Sequence, residues 1–328
     1  MPVSFPDRQA FRCARGFVYS YVQIPSTAHR PTLFFLHGFP SHIPDWTYQM
    51  SHFSSQGYGI LACDLLGFGQ SSRSEDPSMY RLQPVSNDLT ELLDHVGLAQ
   101  VIGVGHDIGA TILSRLASYH PQRFIALVFL AVGPPRLGTP FDLNAINDTT
   151  RRMMGYELLG YINWLTEGAQ NVLEQNSASA MSLTFAENSV SVWQQWFHPL
   201  HKMEEFVTQD RRVRMGTWYT TDLQKEHLAA FHRQGGYTGC QWYRMWRDNL
   251  FAADERGFEA VILPQPCLLI IPNGSEPQVD MLAEWAPTLT VTRLESGHWV
   301  HLEESGGTSS AIAGFLNKLE QEPQSHSG

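Results

Sequence analysis

The sequence predicts an α/β architecture: a mostly parallel central sheet flanked by helices and interrupted by a block of inserted helices. Three observations predict it. Short apolar runs alternate with helical patterns up to about residue 132, as βαβ units require. One of these runs, starting at Val101, meets Gly105-His106-Asp107-Ile108-Gly109 and passes at once into a helical pattern. The rhythm then breaks at Gly133-Pro134-Pro135, and apolar strands return only at Cys267. The expected division is a first core part over 1–140, a helical cap over 141–253 and a second core part over 254–328.

Each element has its own signal. Phe11 to Val22 alternates loosely around Gly16 and suggests an antiparallel hairpin. Thr32–Leu36 and Gly59–Cys63 are unbroken apolar runs, the mark of strands buried on both faces. Between them a helical pattern covers Asp45 to Phe53. Ser86 or Asn87 is placed to cap a helix over Asp88 to Val96, closed by Gly97. A helix over Ile108 to Tyr119 and a strand over Phe124 to Val132 complete the first part. The inserted block holds Trp164, Trp193, Trp196, Trp218, Trp242 and Trp246 and no strand of comparable apolar character. Strands at Cys267–Ile271 and Leu289–Leu294 and a helix from about Ser309 to Leu319 finish the fold.

Composition narrows the function. A chain of 328 residues with 43% hydrophobic and 16% charged residues has room for a sizeable core. Its formal net charge of −10 argues against a nucleic-acid or anionic-membrane partner, which would need clustered Lys and Arg. Cys13, Cys63, Cys240 and Cys267 are scattered and read as buried free thiols. The first residues lack a basic region followed by an apolar stretch, so no signal peptide is expected. No apolar run is long enough to cross a bilayer. The polar run Gln321 to Gly328 reads as a frayed end. The expectation is a cytoplasmic enzyme, monomer or homodimer, with no metal and no organic cofactor.

The turn at Asp107 carries the chemistry. Small residues on either side of one reactive side chain, between a strand and a helix, describe a nucleophile elbow. The helix start favours an anion and keeps a carboxylate ionised. A carboxylate attacks strained or activated carbon, and the resulting ester must be cleaved by water with the help of a general base. The bland alternative is that Asp107 merely caps the helix. His298, in Glu295-Ser-Gly-His-Trp-Val300, follows a predicted strand and is the candidate base. As one of 14 histidines it would otherwise read as a loop residue. Glu276, after the strand at Cys267, is the candidate acid that orients it, with Asp280 as rival; either could simply cap a helix. His37-Gly38-Phe39-Pro40 ends a central strand, with a cis bond before Pro40 as one option. The Phe39 and Ile108 amides would form an oxyanion hole.

At these residues the chain resembles the α/β-hydrolase fold, specifically the soluble epoxide hydrolase and haloalkane dehalogenase branch with an aspartate nucleophile. His37–Pro40 matches its HGxP motif and Asp64–Ser71 its DxxGxGxS turn. Gly105–Gly109 is similar to its GHDxG elbow, and Gly297-His298-Trp299 to its GHW base motif. The resemblance covers nearly the whole chain. It implies that Tyr161 and Tyr243 donate hydrogen bonds to an epoxide oxygen opposite Asp107. It also places His37, Pro40, His106, Trp164, Trp242 and Trp299 around the substrate. Ile108 stands where the family usually has Trp, which removes an indole donor for halide and widens the pocket. The expected reaction is hydrolysis of a bulky apolar epoxide to a vicinal diol, with water as co-substrate. The overall text is similar to fungal members, some of which tailor polyketide epoxides and close cyclic ethers. The rival readings are a haloalkane or haloacid dehalogenase using the same Asp107, and a silent ligand-binding protein.

Overall fold

The computed structural model describes residues 7–27 and 29–321. Eight strands form one sheet: β1 (Gln9–Arg12), β2 (Val18–Ile24), β3 (Thr32–Leu36), β4 (Gly59–Cys63), β5 (Val101–His106), β6 (Phe124–Leu130), β7 (Cys267–Pro272) and β8 (Leu289–Leu294). Their order is β1-β2-β4-β3-β5-β6-β7-β8. The β1–β2 hairpin joins the sheet antiparallel to β4, and every pairing from β4 to β8 is parallel. Chain order reverses beside β3 and β5, so a crevice opens at their carboxyl ends, where open α/β sheets bind ligands.

Strand periodicity builds the two layers. In β3, Phe34 and Leu36 join one apolar layer while Leu33 and Phe35 join the other. Each such side chain contributes about 1.5–3 kcal/mol on burial. One face packs on α1 (Thr47–Ser55) and α14 (Ser305–Gln321), through Met50, Phe53, Ile312 and Phe315. The other packs on α2 (Leu82–His95) and α3 (Ile108–Tyr119).

Among the described residues, eight helices lie between β6 and β7: α4 (Leu143–Met154), α5 (Gly160–Thr166), α6 (Gln170–Gln175), α7 (Ser177–Thr184), α8 (Ser189–Trp196), α9 (Lys202–Thr208), α10 (Thr221–Phe231) and α11 (Cys240–Arg247). They share the apolar layer of α2 and α3. Two short helices, α12 (Glu276–Ala283) and α13 (Val300–Glu303), follow β7 and β8.

Some bounds differ from expectation. The second helix begins at Leu82, so Ser86 and Asn87 lie within it rather than capping it. Pro84 is tolerated there because a first-turn residue has no intrahelical acceptor for the missing N–H. β6 stops at Leu130 because Ala131 takes a left-handed φ of 64°. The final helix starts at Ser305, ahead of Ser309. All four cysteines are buried free thiols. No helix among the described residues is long and apolar enough to cross a membrane. Residues 322–328, most of the expected frayed end, lie outside the described residues.

Candidate active site

Asp107 occupies the single-residue turn between β5 and α3, with φ 55° and ψ −121°. That conformation costs a non-glycine residue about 1–3 kcal/mol, and the packing around it must hold the strain. The neighbours show how. Gly109 lies so close to the carbonyls of Leu36 and His37 that a Cβ would overlap them. A Cβ on Gly38 would likewise overlap the Asp107 side chain. The Phe39 N–H donates to Asp107 Oδ1 at 3.0 Å. The Phe39–Pro40 bond is cis. Ile108 stands first in α3, where helix geometry gives its amide no intrahelical acceptor. The Phe39 amide thus faces one carboxylate oxygen, and the Ile108 amide follows Asp107 directly in the chain.

His298 reaches the same carboxylate from the loop after β8, with Nε2 3.4 Å from Asp107 Oδ2. Burial alone would raise the Asp107 pKa. The His298 hydrogen bond and charge, the His106 charge and the Phe39 amide outweigh it and hold the pKa at about 2. Asp107 is thus an enclosed but ionised carboxylate at neutral pH.

A circuit of rings runs from the base back to the oxyanion loop. His298 lies 5.4 Å between centroids from Trp193, Trp193 4.6 Å from Phe197, and Phe197 4.6 Å from Tyr161. Tyr161 then meets Tyr243 at 5.9 Å and Tyr243 meets Phe39 at 5.1 Å. Both tyrosine pKa values are raised, first by burial and further by the Asp107 charge. The two phenols therefore stay protonated as donors within the field of the carboxylate.

Other expected site residues lie elsewhere. Glu276 opens α12 at the surface, where both its oxygens accept from Arg293, at 2.9 and 2.6 Å. Among the described residues it makes no contact with His298, and Asp280, one turn on, is exposed. The Arg293 fork, one strand away, is the nearer and stronger partner for that carboxylate. His37 is buried behind the oxyanion loop: its Nδ1–H donates to the Gly38 carbonyl at 2.9 Å and its Nε2 accepts from the Leu65 amide at 3.0 Å. His106 is also fully buried, and its Nε2–H donates to the His298 carbonyl at 3.0 Å. Trp242 is turned toward the core, donating to the Leu66 carbonyl at 3.0 Å. Trp299 donates to the Thr184 carbonyl at 3.0 Å. Trp164 is part-buried and, among the described residues, outside the ring circuit. Pro40 is buried beside Phe39. The ring nitrogens of His37, Trp242 and Trp299 are committed to backbone partners, whereas the buried His106 Nδ1 has no partner among the described residues.

Trp193, Phe197 and His198 were not singled out by sequence reasoning, since nothing in a helical aromatic block says which rings face the sheet. Burial pulls the His198 pKa down to about 4, against a backbone hydrogen bond, so its imidazole is neutral. Glu303 was also missed, although its spacing gives a signal: an acid at a short helix reaching back to amides at the helix start is capping-box logic. Among the described residues, no group of three His, Cys, Asp or Glu is arranged to hold a metal ion.

Comparison with known proteins identifies the fold family. Residues 31–305 match the family model for the alpha/beta hydrolase fold. The chain is 26% identical over 303 residues to epoxide hydrolase A of Mycobacterium tuberculosis, covering 88% of this chain and 91% of that protein. It is 26% identical over 309 residues to an epoxide hydrolase of Caballeronia sordidicola, covering 88% of each. The crystal structure of epoxide hydrolase A from Mycobacterium thermoresistibile superposes with a TM-score of 0.78 at 24% identity, covering 95% of this chain and 98% of that one, a likeness of fold. The chain belongs to the alpha/beta hydrolase fold family, and these relatives within it carry the name epoxide hydrolase.

Proposed function

We propose that the protein hydrolyses an epoxide to a vicinal diol through an ester on Asp107. The observation that carries this reading is the pair Tyr161 and Tyr243, protonated and within the field of an ionised Asp107. Both the named relatives and this geometry support it. With Oδ1 held by the Phe39 amide at 3.0 Å and Oδ2 only in the longer 3.4 Å contact with His298, Oδ2 is the oxygen that attacks. Its electron pair forms the new C–O bond while the epoxide C–O bond breaks. The departing oxygen takes a proton from one phenol and keeps a hydrogen bond from the other. His298 Nε2 then removes a proton from water, and the hydroxide adds to the ester carbonyl. The Phe39 and Ile108 amides bear the oxyanion, and collapse releases the diol oxygen, which takes the proton back from His298; the proton left on the regenerated Asp107 carboxyl group then passes through solvent to the phenolate, restoring both residues.

The aromatic circuit supports a bulky apolar substrate, such as a polyketide epoxide. On a bis-epoxide, a hydroxyl released at the first centre could attack the second and close a cyclic ether. A dehalogenase reading has less support, because Ile108 supplies no side-chain donor for halide. One turnover in ¹⁸O-water tests the ester route. The first diol should carry ordinary oxygen from Asp107, with the label left in the Asp107 carboxylate; label in the first diol would contradict it. Product analysis with mono- and bis-epoxides separates hydrolysis from ring closure.

A further inference from the structure

We propose that Glu303 is the carboxylate that positions His298 and balances its charge while the ester is hydrolysed. This rests on the reading of His298 as the base. Glu303 Oε2 accepts from the Gly297 N–H at 2.7 Å, and Oε1 accepts from the Trp299 N–H at 3.0 Å. The amides on either side of His298 thus hang from one carboxylate. The His298 carbonyl is held from the opposite side by His106 at 3.0 Å. Gly297 has no room for a side chain, since a Cβ there would meet Glu303 Oε1 at 2.8 Å and overlap the Ser189 hydroxyl. The Trp299 ring is tied to Thr184. With three successive residues pinned, the backbone that carries the His298 side chain is held in place.

Charge gives the arrangement its chemical use. The groups that feel His298 are Asp107 from the elbow, His106 from β5, His198 after α8, and His301 and Glu303 from α13. Two of these are acids, and Asp107 loses its charge when it becomes an ester. Glu303 forms no ester, and although burial raises its pKa, the Gly297 and Trp299 amides and the His298 charge favour its ionised form when His298 must take a proton from water. Glu276, committed to Arg293, does not occupy this place. Glu304, next in the chain, is exposed and acts on Glu303 alone among these groups. Capping α13 is the purely structural alternative.

The experiment follows ester formation and decay by rapid quench and intact mass in the full chain, from pH 5 to 9. It compares wild type with Glu303→Gln, Glu303→Asp and His298→Gln. In Glu303→Gln the ester should form near the wild-type rate and decay about tenfold to a hundredfold more slowly. Losing the negative charge makes the imidazolium a stronger acid, so the acid limb of decay should move to lower pH. Glu303→Asp keeps the charge with a shorter reach; its limb should stay in place while the rate falls. This variant carries the test if Glu303→Gln does not fold. Decay at the wild-type rate in Glu303→Gln, slower decay with an unmoved limb, or equal limb shifts in both variants would overturn the proposal. Absence of any ester, even in His298→Gln, would overturn the underlying epoxide hydrolase reading and this proposal with it.

Discussion

His298 Nε2 lies 3.4 Å from Asp107 Oδ2, while the Phe39 amide holds the other carboxylate oxygen at 3.0 Å. The first distance is longer than a short hydrogen bond. The carboxylate is therefore gripped on one oxygen and only loosely paired on the other. In the proposed mechanism, alkylation of Oδ2 would remove the carboxylate charge facing His298 and leave Nε2 to meet a water, so that one pair of residues would serve two successive steps.

The pH dependence of ester formation follows from the carboxylate. The Asp107 pKa is held below its ordinary value, at about 2, so the nucleophile is ionised above that pH. Ester formation should be flat from neutral pH down to about 4 and fall only toward 2. In His298→Gln the main lowering partner is gone and burial dominates, so the fall should begin at higher pH. Rapid-quench adduct yields against pH check both statements. Identical profiles in the two proteins would contradict the assigned coupling.

Tyr161→Phe and Tyr243→Phe should each slow ester formation by about tenfold to a hundredfold, with ester decay little changed. The double variant should lose more than either. Single-turnover kinetics separate the two steps. Unchanged formation in both single variants would remove the phenols from the mechanism.

Glu276→Gln should leave ester decay within about twofold of wild type, because its carboxylate faces Arg293 at the surface. A loss of a hundredfold or more would return the acid of the base to Glu276.

Asp45 makes a prediction about stability. It is fully buried, accepts from the Ser41 hydroxyl at 2.6 Å, and has an Oδ1 with no described partner. Burial, opposed by the Ser41 and His42 hydrogen bonds, raises its pKa to about 7. A raised folded pKa means stability present below the unfolded value near 3.8 and lost as pH rises through about 7. Asp45→Asn should therefore melt increasingly above wild type as pH rises from about 4 to 7. Thermal melts across that range test it; a gap independent of pH would contradict it.

Much of this was legible because local rules and the fold agree. Thr32–Leu36, Gly59–Cys63 and the helix Ile108–Tyr119 fall within the expected bounds, since buried apolar runs and an elbow leave little freedom. Asp107 lies beside His298 and the Phe39 amide, and the Tyr161 and Tyr243 rings pack against each other with Tyr243 against Phe39, residues the motifs and the resemblance single out. Tertiary partners decided the rest. Glu276 sits at a motif position, yet a neighbouring strand presents Arg293 to it. His37, His106, Trp242 and Trp299 lie beside the site in sequence, but the ring nitrogens of His37, Trp242 and Trp299 and the Nε2 of His106 turn to backbone groups that no linear spacing reveals. Trp193 and Phe197 come from helices whose facing depends on the packing of the whole insertion.

The central claim is a covalent ester on Asp107, and intact-mass analysis of His298→Gln with an aryl or alkyl epoxide tests it most directly. The account predicts accumulation of protein heavier by the whole epoxide, mapped to the peptide containing Asp107 and absent in Asp107→Ala. Diol formation that persists in purified Asp107→Ala, with no adduct in His298→Gln, would contradict it.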